Sequence, residues 1–148
     1  MRNVIGKLAV VGVLLGTAAW AGTTSPVGGW RTIDDNTGKE RSIVRINEVN
    51  GELQGMVEKI FDRPGDDPRH LCKDCKGERK DKPVVGMTIL WGLKKDGDEW
   101  SGGEILDPDN GRVYRCKMTL SEDGTRLNVR GFIGISLIGR TQTWHREP

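Results

Sequence analysis

The sequence is poor in most of what a catalytic or helical protein relies on. In 148 residues it has two histidines (His70 and His145), three cysteines, one tyrosine and two phenylalanines. So few histidines leave little for Ser–His catalysis. Long Ala/Leu/Glu/Lys-rich stretches are absent, which excludes a helical bundle or coiled coil, and the glycines follow no three-residue period of the collagen kind. Charge of one sign is also missing. The 23 basic residues face 21 acidic ones. Set aside Arg2 and Lys7 near the N-terminus and the balance is even, so the basic surplus that a nucleic-acid partner demands is not there. No apolar run approaches the ~20 residues that span a bilayer. What is abundant is glycine, 21 residues, about twice the usual share of ~7%, together with five tryptophans.

The first twenty-one residues read as an address. Arg2 and Lys7 precede an uncharged apolar run from Leu8 to Ala19, and Ala19-Trp20-Ala21 places small residues where a signal peptidase reads them. This is the three-part pattern of a secretory signal peptide cleaved after Ala21. The expectation is a periplasmic or secreted protein, with residues 22–148 as a single domain and no stable membrane anchor after cleavage. No cysteine stands at the cleavage point, so a lipid anchor is not indicated.

From Gly22 onward, short runs alternate with turn chemistry. Strands are expected near 28–34, 40–49, 52–61, 84–93, 99–106, 112–120, 126–132 and 139–146. Asn50-Gly51, Lys95-Asp96-Gly97-Asp98, Pro108-Asp109-Asn110-Gly111 and Glu122-Asp123-Gly124 carry the residues that tolerate positive φ, and so mark hairpins. Alternation is clearest where Tyr114, Cys116, Met118 and Leu120 share one face and Arg115, Lys117 and Thr119 the other. In the fourth run Val85, Met87, Ile89, Trp91 and Leu93 are expected on one face. Glycines inside the runs suit a sheet that bends sharply. Eight half-buried strands in about 127 residues give an all-β fold, a small antiparallel up-and-down barrel, which removes its own edges. An open sandwich is the competing arrangement. Residues 62–82 break the rhythm with thirteen charges of both signs, and a loop so long is functional or mobile.

Few constellations could carry chemistry. Cys72-Lys73-Asp74-Cys75 in an exported protein most simply closes a small disulfide. A redox centre would need a helix behind the motif, which Gly77, Pro83 and the charge run oppose. A metal site from His70, Cys72, Cys75 and Cys116 has suitable ligand types but lacks a second closely spaced pair. Cys116 falls on an apolar strand face, where a free cysteine acts as a small hydrophobe. Gly134-Ile135-Ser136-Leu137-Ile138 lacks the final glycine of a nucleophile elbow, and Asp107-Pro108-Asp109-Asn110-Gly111 lacks the terminal glutamate of a calcium loop. No catalytic residue, cofactor or metal is therefore expected. Gly28-Gly29-Trp30 opens the first strand while Arg140, Trp144 and Arg146 lie in the last. Those strands are neighbours in a closed barrel, so Arg140 or Arg146 could stack on Trp30 and seal one end.

Taken together, Gly28-x-Trp30, Asp34-Asp35-x-Thr37-Gly38-Lys39, Cys72-x-x-Cys75, Gly102-Gly103-x-Ile105-Leu106-Asp107-Pro108-x-Asn110-Gly111-x-x-Tyr114 and Arg130-Gly131-Phe132-Ile133-Gly134-x-Ser136-x-x-Gly139-Arg140-Thr141-Gln142-x-Trp144 resemble the secreted bacterial family known as domain of unknown function 2147. The resemblance runs from about residue 27 to 146. It implies a lipocalin-like (calycin) barrel whose first-strand Trp30 is packed by Arg140 or Arg146, and it brings no catalytic residues. The expected function is that of an exported, non-enzymatic barrel binding a small, partly apolar ligand through Met87, Ile89, Trp91, Tyr114 and Met118, with Arg140 and Gln142 as polar contacts. Two alternatives stand beside it: an interaction module acting through the Cys72/Cys75 loop, and a thiol or metal site.

Overall fold

Asn50 and Gly51 both take positive φ, 52° and 78°, the backbone of a two-residue turn whose twist matches the strands it joins. They connect β2 (Glu40–Val49) to β3 (Glu52–Ile60). Similar tight turns organise the rest of the computed structural model, which describes residues 12, 16 and 25–148. The remaining strands are β1 (Gly28–Ile33), β4 (Thr88–Asp96), β5 (Glu99–Asp107), β6 (Arg112–Leu120), β7 (Arg126–Phe132) and β8 (Gly139–Arg146). Each pairs antiparallel with its neighbour in sequence, and β1 pairs with β8 through Trp30↔Arg146 and Arg31↔His145. The sheet is a closed, all-β, up-and-down barrel with one 3-10 turn, Gly77–Arg79, among the described residues. The expected signal peptide, residues 1–21, lies outside the described residues.

Seven of the expected strands match to within a residue: β2, β6, β7 and β8 agree at both ends, and β1, β3 and β5 differ by a single position at one end. The fourth departs by more. Val84 and Val85 read as strand, yet Val84 donates its backbone N–H to His70 O at 2.8 Å and Met87 donates back to Val84 O at 3.0 Å. These residues fold into a turn that anchors the preceding loop, and β4 starts at Thr88. Within β4 the pairing with β3 slips twice, between Leu53 and Gly55 and between Gly55 and Met56. Each slip interrupts the two-residue alternation of side chains. Ile89 and Leu90 are consequently both buried, while Trp91 pairs with exposed Glu104 and carries the Arg79 guanidinium over its ring at 4.6 Å. Trp91 thus sits on the outer face, not with Ile89.

Core packing is concentrated at one end of the barrel. Trp30, Val44, Ile46, Leu53, Leu93, Trp100, Met118 and Leu127 are buried together there. Each large aliphatic side chain contributes about 1.5–3 kcal/mol on leaving water. Arg146 closes this end. Its guanidinium lies 4.3 Å from the Trp30 ring centroid and donates to Gly124 O, Val27 O and Ser25 O at 2.6, 2.9 and 2.7 Å. The Trp30 indole N–H donates to Pro26 O at 2.8 Å, so the ring is buried with its polar atom satisfied.

Candidate functional site

The opposite end is hollow. A cavity of about 850 Å³ opens between the β1–β2, β3–β4, β5–β6 and β7–β8 connections. Its wall is graded along β8, where alternation brings Arg140, Gln142, Trp144 and Arg146 onto the inner face. Arg140 is at the mouth, Gln142 half-buried, Trp144 buried at the bottom of the cavity, and Arg146 already part of the plug. Val129 pairs with Gln142 and Leu127 with Trp144, which continues the apolar wall onto β7. Ile105 and Tyr114, partners across β5 and β6, and Val57, Ile60 and Ile89 complete it. The Trp144 indole N–H donates to Gln142 Oε1 at 3.0 Å, and Gln142 in turn donates to Asp35 Oδ2 at 2.9 Å. An apolar floor therefore rises into a hydrogen-bonding rim, the general make-up of a small-molecule pocket.

Three of the four mouth loops are tied together by charge. Arg63, in the β3–β4 connection, pairs with Asp34 of the β1–β2 loop at 2.7 Å, with Asp66 at 3.4 Å and with Asp109 of the β5–β6 turn at 3.4 Å. Arg41 adds Asp66 at 2.7 Å. Arg63, with the backbone N–H groups of Asn36 and Thr37, holds the Asp34 carboxyl below its ordinary range. Desolvation opposes the charge on Asp66, but the Arg63 backbone N–H and the Arg41 guanidinium outweigh it and keep that carboxyl low as well. Neither Arg41 nor Arg63 was singled out from the sequence. Arg63 stands in a mixed-charge run whose plain meaning is solvation, and Arg41 is a single arginine near the start of β2.

The Cys72–Cys75 disulfide forms, with Cα atoms 5.3 Å apart. Both cysteines are buried, and a Cβ placed on Gly111 would collide with the Asp74 carbonyl. The bonded segment therefore presses directly on the β5–β6 turn, and only glycine at 111 permits it. Cys72 also receives the Asp81 N–H at 2.9 Å and donates to Lys82 O at 2.8 Å. The long loop is ordered by these contacts, although its composition suggests a freely solvated strand of chain. The weighed metal set does not assemble: two of its cysteines are bonded to each other and Cys116 is inside the barrel, where burial pushes its thiol up to about 12. Asp62, Asp66 and His70 do bring ligating atoms within 4.8 Å of one another. His70 Nε2 is already 2.6 Å from Asp62, and Asp66 is engaged by both arginines.

Of the residues named from the sequence, Ile89, Tyr114, Arg140 and Gln142 line the cavity. Met87 is half-buried against the core, Met118 belongs to the packed end beside Trp100, and Trp91 is half-buried on the outer face beneath Arg79 and does not line the cavity. Arg146 reaches Trp30, whereas Arg140 stands at the other end of the barrel, 3.0 Å from Asp35 and 3.9 Å from Asp107, and takes no part in closing it. Trp144, Val129 and Ile105 are cavity residues that were not proposed. For Trp144 the signal was available, since it shares a strand face with Arg140 and Gln142.

With this geometry in view, the family model described as an uncharacterized protein conserved in bacteria (DUF2147) matches residues 28–146. The chain belongs to that family. The match takes in all eight strands, from Gly28 to Arg146, so the plug and the cavity are both parts of the family domain. No curated protein matches the chain. Among solved structures the barrel is similar to protein HP1028 from the human pathogen Helicobacter pylori, described as belonging to the lipocalin family. The two share 20% identity over 84% of each chain, with a TM-score of 0.72. At that identity the likeness establishes a lipocalin-like fold for this DUF2147 domain.

Proposed function

We propose that this DUF2147 chain is an exported, non-enzymatic barrel that binds a small, partly apolar ligand in its open end. The observation that carries the reading is the one-ended cavity of about 850 Å³, apolar at Trp144, Val129, Ile105 and Ile89 and polar at Gln142 and Arg140. An apolar body would descend toward Trp144, and a hydrogen-bonding head would remain near Gln142, Asn110 and Arg140. Export is supported by the leader pattern of residues 1–21 and by a disulfide, which persists in oxidising compartments.

Gly131 provides the test. It lies on the cavity wall, and a Cβ there would meet Tyr114 and Ile105 at 3.5 and 3.6 Å, ordinary contact distances. Gly131→Leu therefore introduces its side chain into the cavity without backbone strain. Titration with fatty acids, haem and quinones, read by tryptophan fluorescence, is expected to give a saturable change for at least one class, lost in Gly131→Leu and in Trp144→Phe. A flat response to the whole panel contradicts the reading.

A further inference from the structure

The fourth mouth loop differs from the three that are stitched by ions. Between β7 and β8 the chain runs Ile133-Gly134-Ile135-Ser136-Leu137-Ile138, and its four apolar side chains are 61, 59, 86 and 64% exposed. They are the largest exposures of any large apolar side chain among the described residues. The loop is nevertheless shaped. Ile133 N–H donates to Ile138 O at 3.1 Å and Ile138 N–H to Ile135 O at 3.0 Å. Arg115 donates to Gly134 O at 3.3 Å and Arg130 to Ser136 O at 2.7 Å. Clustered apolar side chains presented to water on a braced turn mark a contact surface.

The surroundings say which kind. Arg115, Lys117 and Arg130 form an outward stripe on β6 and β7 directly behind the loop, with Lys117 paired to Arg130 and Arg115 to Phe132 in the strand register. Among the described residues none of the three forms an ion pair. Glu104 stands opposite Arg115 across β5, so the stripe keeps a basic surplus. An apolar tip backed by basic side chains complements a bilayer whose headgroups are anionic. A second copy of the chain meeting this face about a two-fold axis would set stripe against stripe, which like charge opposes.

We propose that the β7–β8 loop docks the open mouth of the barrel on a bilayer containing anionic phospholipid. Ile135 and Leu137 enter the headgroup layer while Arg115, Lys117 and Arg130 face the lipid phosphates. Phe132, Ile133 and Ile138 also line the cavity, so docking brings the cavity mouth to the lipid. The association is reversible, since a short loop buries far less apolar surface than a spanning segment. It does not depend on the cavity holding a ligand.

Co-sedimentation of the full chain with vesicles tests it, using phosphatidylcholine alone and phosphatidylcholine mixed with phosphatidylglycerol. The wild type is expected to bind the mixed vesicles, to bind phosphatidylcholine alone more weakly, and to lose affinity as salt is raised. Ile135→Asp with Leu137→Asp should lower the vesicle partition by about tenfold or more. Lys117→Gln should lower it by about fivefold, and only on anionic vesicles. Val49→Asp, an exposed apolar position at the opposite end of the barrel, should bind as wild type does. All variants share the wild-type N-terminus, so residues 1–21 cannot produce the difference, and an unchanged circular dichroism spectrum shows that these exposed substitutions leave the fold intact. Equal binding by wild type and the Ile135/Leu137 double variant overturns the proposal, as does absence of binding to either vesicle. Concentration-dependent self-association in sedimentation velocity, abolished by the same double variant, overturns it too, because the loop then covers a second copy.

Discussion

The two ends of this barrel are held by different physics. The end around Trp30 is closed by dense apolar packing and one half-buried cation, Arg146, shared between an indole face and three carbonyls. The mouth is held by exposed and half-buried ion pairs, an Asx turn at Asp34 and a disulfide outside the sheet. Surface ion pairs contribute about 0–1 kcal/mol each, less than a single buried leucine. Stability therefore resides at the plug, and the mouth is free to vary in polarity. Eight strands leave an interior barely wider than their own side chains. The cavity lies at the end where Gly131, Val129 and Ile105 face inward above Trp144.

The comparison can be broken first at the plug. Trp30→Ala should cost about 3–5 kcal/mol, seen as a lower urea midpoint, and Arg146→Met less, since a cation–aromatic contact contributes roughly 0.5–2 kcal/mol. If Trp30→Ala leaves the midpoint unchanged, the assignment of stability to this end is wrong. At the mouth, Cys72→Ser with Cys75→Ser opens a very short covalent loop. The chain-entropy cost is about 2 kcal/mol, and hydrogen exchange should locate it in residues 62–87 with the strands still protected. Gly131→Leu should shift the midpoint least of these while abolishing ligand response, which separates binding from stability.

The smallest effect is that of pH. The lowered carboxyls of Asp34 and Asp66 stabilise the folded mouth fully above their unfolded pKa, about 3.9. That contribution is lost as pH falls through their lower folded values. Acidifying from neutrality to about pH 4 should thus leave the loop protection factors, measured against intrinsic exchange at each pH, unchanged, and further acidification should lower protection in residues 62–74 before β1–β8. Arg63→Gln should reduce the Asp34 share of this acid sensitivity and leave the Asp66 share, which the residue 63 backbone N–H and Arg41 supply. Loss of protection already between pH 7 and 5 would place the dependence on some other group.

Much of the architecture was legible because local chemistry and fold agree. Asn50-Gly51 specifies its turn through backbone geometry alone, and Tyr114, Cys116 and Met118 alternate without interruption. β4 was not legible in the same way. Its two slips against β3 move Ile89 and Leu90 inward together and Trp91 outward, and a bulge leaves no mark in a run of apolar residues. The arginine of the plug could be narrowed to two residues but not chosen, since Arg140 and Arg146 share a strand face and differ only in height along the barrel. The Arg63–Asp34–Asp109 network joins residues 29 and 46 positions apart, which no local pattern encodes. The exposed Ile133–Ile138 loop was read as a failed catalytic motif, because sequence shows that the residues are apolar but not that the fold leaves them uncovered.

The account rests on a cavity that is open at one end and floored by Trp144. The most direct measurement is the fluorescence titration of the wild type beside Gly131→Leu, with the apolar panel of fatty acids, haem and quinones. A saturable signal in the wild type that vanishes in Gly131→Leu, with both proteins equally folded, is the predicted result. Identical titrations in the two proteins, or no saturable signal in either, would contradict it.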